Sequence, residues 1–157
     1  NLDLNQTSID LFNIARKRDK NFCAAISNQN NDVNCYIDSN FSPLNSLNKK
    51  FSDYTIKKFS KGHSTLIKVK TFKLLKLLEL NKIYFNDIDF INIDVESHDL
   101  EVLQGIDFTK IKPKLLCVEM FNESGDINSL NIRNLLKEFN YSMIHETGGN
   151  GFFERSK

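Results

Sequence analysis

Acidic residues follow three apolar runs of this sequence, at the points where strands of a sheet would end. Asp3 ends the first run, Asp94 and Glu96 end the second, and Glu119 ends the third. Ligands of open α/β sheets bind outside the carboxyl ends of the strands, so acids at these positions can meet at one edge. A lone acid is more often a helix cap or an ion-pair partner, because burying an unpaired carboxylate is costly. Acids on three strands of one sheet edge instead favour a site.

The same residues are also suited to hold a metal ion. Asp94, Glu96, His98 and Glu119 offer hard oxygen and nitrogen ligands of the kind that could bind Mg²⁺. The sequence predicts no dedicated metal site, and metal binding by this cluster is kept as an alternative.

Hydrophobic patterning predicts strands and helices that alternate along the chain. The predicted strands cover residues 2–4, 21–26, 33–37, 66–69, 88–95, 114–121, 141–145 and 151–154. The predicted helices start near Thr7, Phe72, Ser97 and Ile132. Residues 39–64 are rich in Ser, Asn and Lys, which predicts a long irregular insertion.

The predicted elements indicate an α/β fold with one open sheet. Alternation of strands and helices is typical of a mostly parallel sheet. The turn Gly148-Gly149-Asn150 predicts that the last two strands form an antiparallel hairpin. A mostly parallel sheet that ends in such a hairpin is typical of the class I methyltransferase (Rossmann-like) fold, here as a single domain over residues 1–157.

Composition narrows the class of partner. The chain has 157 residues, 40% of them hydrophobic, and a net charge of +1 with basic and acidic residues interspersed. This pattern argues against a nucleic-acid-binding surface. No apolar stretch approaches the roughly 20 residues that span a bilayer, and no signal peptide is visible. The three cysteines lack metal-ligand spacing, which predicts reduced thiols and a cytoplasmic protein.

One segment resembles a known family signature. The sequence from Phe90 to Gly105 reads FINIDVESHDLEVLQG. It is similar to the FkbM methyltransferase signature, an apolar strand followed by Asp-Val-Glu-Gly and a short helix that ends in Val-Leu-x-Gly. The segments that begin at Asn1, Cys23, Pro113 and Gly151 resemble other strands of that family. The resemblance therefore covers nearly the whole chain and implies an enzyme that uses S-adenosylmethionine (SAM).

The resemblance implies a role for each candidate residue. Asp3 would accept hydrogen bonds from both ribose hydroxyls of SAM, as an ionised carboxylate does well. Asn5, Ala25 and Ile26 would complete the cofactor site, with Ala25 and Ile26 lining the adenine.

The remaining candidates would act on the acceptor. Asp94 and Glu96 would lie beneath the transferable methyl, where a carboxylate can orient a hydroxyl and take its proton. His98 is a second candidate base, although a histidine at a helix start is more often a polar surface residue. Glu119 would bind the substrate. The acceptor would be a small molecule or glycan, such as a sugar or secondary metabolite with a free hydroxyl.

The chain departs from the family pattern in two places. Ser97 stands where the family has Gly, and Ser adopts a positive φ less readily, although it can cap a helix. In addition, no strand ending in Asp-x-Gly and no glycine-rich loop precede Asp3. We therefore expect a truncated domain that binds SAM weakly or not at all. The place of the missing strand could stay unfilled, be closed by direct pairing of the strands that end at Asp3 and Asp94, or be filled by a strand from another chain. Direct pairing is favoured because it satisfies the most backbone groups.

Two alternatives to an O-methyltransferase stay open. One is a metal-assisted methyltransferase or hydrolase that uses Asp94, Glu96 and Glu119. The other is a non-catalytic remnant or interaction domain that methylates nothing. The sequence does not indicate an oligomeric state.

Overall fold

A computed structural model describes residues 1–39, 42–59, 64–122, 124 and 129–156 of the chain. These residues form nine strands, five α-helices and a 3₁₀ turn at Phe85–Asp87. The elements are β1 (Leu2–Asp3), α1 (Gln6–Ala15), β2 (Phe22–Cys23), β3 (Ala25–Ile26), β4 (Asp32–Ile37), α2 (Lys49–Phe59), β5 (Thr65–Phe72), α3 (Leu74–Leu80), β6 (Phe90–Ile93), α4 (Asp99–Gln104), β7 (Leu115–Glu119), α5 (Leu130–Glu138), β8 (Tyr141–Thr147) and β9 (Asn150–Arg155).

The described residues form an α/β fold, as predicted, but two of their three sheets are mixed, so the expected single, mostly parallel sheet is not shown. β1 and β2 form a parallel pair, and β5 lies between β3, which is parallel to it, and β4, which is antiparallel. The third sheet has the order β6-β7-β9-β8. In it β9 inserts between β7 and β8 and is antiparallel to both, which confirms the C-terminal hairpin.

The pairing of β6 with β7 sets the acids at one edge. The two strands are parallel, with Ile93 opposite Val118, and α4 lies in the connection between them. A parallel pair needs such a crossover, and it places both strand ends on the same side. Asp94 and Glu119 come next along their strands and therefore meet at this edge, as predicted.

The strands that end at Asp3 and Asp94 do not pair, which corrects the expected direct pairing. Within the described ranges β1 pairs only with β2, and β6 pairs only with β7. β6 is thus an edge strand, and Phe90 at its start is 51% exposed, although the apolar run predicted a strand buried on both faces.

Helix α4 joins the two groups of strands. His98 at its start is hydrogen-bonded to Ser27, and Gln104 at its end accepts a hydrogen bond from Asn28. Gly105 follows, and a Cβ there would lie 2.2 Å from the carbonyl oxygen of Ser27. The glycine that ends the family signature is therefore needed for this close approach of two backbones.

Part of the segment 39–64 is helical, so the expected irregular insertion is only partly irregular. α2 buries Phe51, Ser52 and Thr55 on one face. Asn48 caps it, since its Oδ1 accepts hydrogen bonds from the backbone N–H groups of Lys50 and Phe51. Residues 40, 41 and 60–63 of the segment lie outside the described residues.

Several strand and helix boundaries also differ from those predicted from the hydrophobic patterns. β5 extends from Thr65 to Phe72, so Phe72 belongs to a strand and α3 begins at Leu74. Asn5, and not Thr7 or Ser8, caps α1 with its side chain. Long-range pairing explains the longer strand, because β5 pairs with β4 from Thr65 to Lys70 and with β3 at Thr71 and Phe72.

The hydrophobic core lies mainly between the third sheet and helices α3, α4 and α5. Its fully buried members include Leu116, Val118, Leu136 and Phe153. The hydroxyl of Tyr141 donates to the carbonyl oxygen of Pro113 at 2.7 Å, so this buried polar group is satisfied. None of the described helices is both long and apolar enough to cross a membrane.

Candidate functional site

A cavity of about 380 Å³ opens between the carboxyl ends of β1, β3 and β6. Cavities of a few hundred Å³ commonly hold small molecules and cofactors. Seven of the eight predicted site residues line it: Asp3, Asn5, Ala25, Ile26, Asp94, Glu96 and His98. The structure thus brings together side chains that the sequence separates by up to 95 positions (Asp3 to His98).

One wall of the cavity comes from β1 and β3. The Oδ1 atom of Asp3 accepts a hydrogen bond from the backbone N–H of Asn5 at 2.7 Å, which fixes the carboxylate at the strand end. The Oδ1 atom of Asn5 is used by the cap of α1, where it accepts from Thr7 N at 2.8 Å. Ala25 and Ile26 are buried and give this wall an apolar surface.

The opposite wall carries a cluster of carboxylates. Asp94, Glu96 and Glu119 each place one carboxylate oxygen within 4.8 Å of the other two. Glu119 does not line the cavity itself, but it reaches the same cluster from β7. These three residues are the ones the sequence singled out at the ends of β6 and β7.

Asp99 is a fourth acid of the cluster, and sequence reasoning missed it. Its side chain is only 2% exposed. Oδ1 accepts a hydrogen bond from the backbone N–H of Val95 at 3.2 Å, and Oδ2 has no partner in the part of the chain that the structure describes. Its place in the first turn of α4, where acids are favoured, was the available signal.

Burial and mutual repulsion raise the pKa values of Glu96 and Asp99. Burial is the larger cause for both, and it brings the pKa of Glu96 to about 8, with the charges of Glu119, Asp94 and Asp99 adding to it. The pKa of Asp99 is also raised to about 8, by burial and then by Glu119, against the hydrogen bond from Val95. Such shifts follow when carboxylates are partly desolvated and lie close to one another.

The pKa values of Glu119 and Asp94 are raised as well. Burial, followed by the charge of Asp94, raises the pKa of Glu119 to about 7, and a hydrogen bond from the backbone of Ser97 opposes this. Partial desolvation at the cavity raises the pKa of Asp94. Oε2 of Glu119 is a second buried oxygen without a partner among the described residues. Strongly shifted acids in a cavity are typical of functional sites.

His98 is held by its neighbours. Its Nε2 lies 2.9 Å from the hydroxyl oxygen of Ser27, and its Nδ1 lies 3.8 Å from Oε2 of Glu101. Burial lowers the pKa of the imidazole, so the ring is neutral at pH 7. The contact with Ser27 joins β3 to α4 across the cavity, a structural role that the sequence did not indicate.

The backbone of the cluster has an unusual conformation. Glu96 and Ser97 both have positive φ angles, 55° and 67°. The hydroxyl of Ser46 donates to the carbonyl oxygen of Glu96 at 2.6 Å, and the side-chain amide of Asn48 donates to that of Ser97 at 3.1 Å. The left-handed conformation at 97 explains a glycine in the signature. The predicted helix cap is also corrected: the residue directly before α4 is His98, and not Ser97.

Comparison with known proteins identifies the family but no close relative. The chain matches the family model of the methyltransferase FkbM domain over residues 3–143. It has no significant match to a curated protein or to a solved structure. The matched region includes both walls of the cavity, and the resemblance seen in the sequence is confirmed. This chain therefore belongs to the FkbM methyltransferase family.

Proposed function

We propose that the chain is a SAM-dependent O-methyltransferase domain that acts on a hydroxyl of a small molecule or glycan. Family membership supports a methyltransferase. The observation that carries the finer proposal is the cavity, which joins a strand-end carboxylate and an apolar wall on one side to a carboxylate cluster on the other.

The first wall fits the nucleoside of SAM. Asp3 is a fixed carboxylate at a strand end, suited to the two ribose hydroxyls. Ala25 and Ile26 provide buried apolar surface for the adenine, beside Asn5. Bound SAM would supply a methyl group on a positively charged sulfur, and the chain's residues orient the acceptor toward it.

The second wall fits the acceptor. Glu96 and Asp94 line the cavity, where a carboxylate can hold the acceptor hydroxyl and take its proton as the oxygen gains the methyl. Glu119 lies within the same cluster and would complete the acceptor contacts. Both ring nitrogens of His98 face protein groups, Ser27 and Glu101. We therefore assign His98 a positioning role and not a role in proton transfer.

Two substitutions test the proposed roles of the two walls separately. Asp3→Ala should raise the dissociation constant for SAM, because it removes the ribose acceptor. Asp94→Asn should leave SAM binding nearly unchanged and lower the rate of methyl transfer by about 10²–10⁴, the usual effect of removing a general base. SAM binding is measured by calorimetry and transfer by release of S-adenosylhomocysteine, on the complete product of the gene.

Asp10→Ala is the matched control, since this exposed acid lies on α1, close to Asp3 in sequence, and does not line the cavity. It should change neither quantity. Equal and small effects of Asp3→Ala and Asp94→Asn would contradict the assignment and favour acids that only cap helices. A chain that binds no SAM and transfers no methyl group in any form would favour the non-catalytic alternative.

The proposed setting is a reducing compartment such as the cytoplasm. The chain's three cysteines are all free thiols, and Cys35 and Cys117 are buried. Cys23 is exposed. Unpaired thiols suit a reducing environment.

A further inference from the structure

The acidic cluster contains more negative charge than the described residues around it balance. Asp94, Glu96, Asp99 and Glu119 lie together, and within the described part of the chain none of them forms an ion pair with a Lys or Arg side chain. Buried carboxylates are ordinarily paired, protonated or bound to a cation. The cluster therefore requires protons or a positive ion.

The spacing of the oxygens fits a cation. One oxygen each from Asp94, Glu96 and Glu119 lies within 4.8 Å of the others. Ligands on opposite sides of a cation with bonds of about 2.3–2.6 Å are about 4.6–5.2 Å apart, and those of Mg²⁺ are about 4.0–4.2 Å apart. Three ligands of one cation cannot all lie opposite one another, so neighbouring ligand oxygens are closer, at about 3.3–3.7 Å for Ca²⁺ and about 2.8–3.0 Å for Mg²⁺. Oxygens within 4.8 Å of one another reach these distances by small movements of the side chains.

An independent observation points into the same place. Asp99 is 98% buried and its Oδ2 has no hydrogen-bond partner in the described ranges. Its Oδ1 accepts a hydrogen bond from the backbone N–H of Val95, the residue between Asp94 and Glu96, and this contact places the carboxylate beside the cluster. Oε2 of Glu119 is likewise buried and unpartnered. Two buried carboxylate oxygens without hydrogen bonds are costly unless a ligand or a nearby positive charge compensates them.

We propose that Asp94, Glu96 and Glu119 bind one hard divalent cation, with Asp99 as a buried carboxylate behind them. The ligands come from the ends of β6 and β7 and from the loop before α4. The parallel register of β6 and β7 holds two of them, and the contacts of Ser46 and Asn48 hold the backbone of the third.

The site lies where the cation could also contact an acceptor oxygen. Asp94 and Glu96 line the cavity, so a cation between them is open to it on one side. A bound cation lowers the pKa of a hydroxyl that coordinates it. This last step rests on the proposed methyl transfer, whereas cation binding itself does not.

The test measures the cation alone, without SAM or acceptor. The protein is freed of metal with a chelator and titrated with Mn²⁺, and free Mn²⁺ is followed by its electron paramagnetic resonance signal. We expect one saturable site per chain, with Ca²⁺ or Mg²⁺ competing. Glu96→Gln and Glu119→Gln should each weaken binding tenfold or more, because each removes a charged ligand.

Glu138→Gln is the control for an equal change in charge, since Glu138 is exposed at the end of α5. It should bind Mn²⁺ as the unchanged protein does. Thermal unfolding gives a second readout: Mn²⁺ should raise the melting temperature of the unchanged protein and of Glu138→Gln, but not of Glu119→Gln. Circular dichroism shows whether each variant is folded.

Three outcomes would overturn the site. They are the absence of saturable Mn²⁺ binding up to on the order of 1 mM, which corresponds to about −4 kcal/mol; equal binding in all variants; or equal thermal shifts in all of them. Any of these would mean that the four acids share protons instead. Because SAM is absent from the assay, failure of the cation site and failure of the proposed methyl transfer are distinguished.

Discussion

The part of the chain from β1 to β5 and the part from β6 to β9 are built differently. In the first part β1, β2 and β3 have two residues each, and of its described residues only Ala24 and Ile26 belong to the buried core cluster. In the second part four strands form one continuous sheet, and Leu116 and Val118 at its centre are fully buried. Within the described residues no strand pairing joins the two parts, and the candidate site lies between them.

The difference teaches that the two walls of the site depend on different forces. The carboxylate cluster is positioned by a packed sheet with a set register. The wall with Asp3 is positioned by a few contacts, above all those of Ser27 and Asn28 with α4. Changes at these contacts should affect the first wall, and changes in the cluster should affect the second.

Gly105→Ala gives the strongest test of this comparison. The added Cβ would overlap the backbone of Ser27, at 2.2 Å from its carbonyl oxygen, and the backbone has little room to move. We expect a loss of about 3 kcal/mol in the free energy of unfolding, at the upper end of overpacking effects. Denaturant unfolding measures the loss, and hydrogen exchange should show β1 to β3 deprotected before β6 to β9.

Gly148→Ala is a useful comparison, because its φ is positive but nothing lies within 4 Å of an added Cβ. It should cost only about 1 kcal/mol, from the left-handed conformation. Equal costs at both glycines, or uniform deprotection in Gly105→Ala, would show that α4 does not hold the two parts together.

Stability of the metal-free protein should fall as pH rises from 5 to 9. The raised pKa values of Asp99 and Glu96, both about 8, mean that the folded state holds protons that the unfolded chain has released above about pH 4. The stabilisation is complete below the unfolded pKa and is lost as pH rises through 8. Asp99→Asn should remove part of this slope and raise stability at pH 8 by about 2 kcal/mol.

Urea unfolding at a series of pH values, with chelator present, measures this effect. Asp89→Asn is the control, since Asp89 is exposed and pairs with Lys114 at the other end of β6. It should leave the slope unchanged. A stability that rises with pH over this range, in the absence of metal, would contradict the arrangement of the cluster.

Ser97→Gly should have the smallest effect and the opposite sign. Ser97 has a φ of 67°, which glycine adopts without steric cost. Removing the steric cost of the left-handed conformation stabilises the folded state by about 1–2 kcal/mol. The greater conformational freedom of glycine in the unfolded chain offsets part of this gain. We expect a net stabilisation of about 0.5–1 kcal/mol by denaturant unfolding. Ser97→Ala keeps the strain and should not stabilise the protein, which identifies φ as the cause.

Local patterns predicted the second part better than the first. The long apolar runs of β6 and β7, the short crossover and the glycine turn of the hairpin are local signals, and they located Asp94 and Glu119 correctly. The pairing of β5 with β3 and β4 depends on contacts between distant residues, which periodicity does not encode. Those pairings decide that the sheets are mixed.

Two further features, helix α2 and the buried side chain of Asp99, were not predicted, each for a specific reason. α2 was not predicted because polar residues, Ser52 and Thr55, form part of its buried face, so the face lacks a hydrophobic stripe. Asp99 was missed because an acid in the first turn of a helix is ordinarily explained by the helix dipole alone. Only the structure shows that this side chain is buried, with the backbone N–H of Val95 as its hydrogen-bond donor.

The hydrogen bonds of Ser46 and Asn48 have a consequence for engineering the cavity. Ser42, Pro43, Asn45 and Leu47 line the cavity from the same segment, so exchanging this stretch between homologous enzymes would transplant a wall of the pocket. Ser46 holds the carbonyl of Glu96 from within that stretch. A graft therefore has to keep Ser46 and Asn48, or the exchange will also alter the backbone of Glu96 and Ser97 at the candidate site.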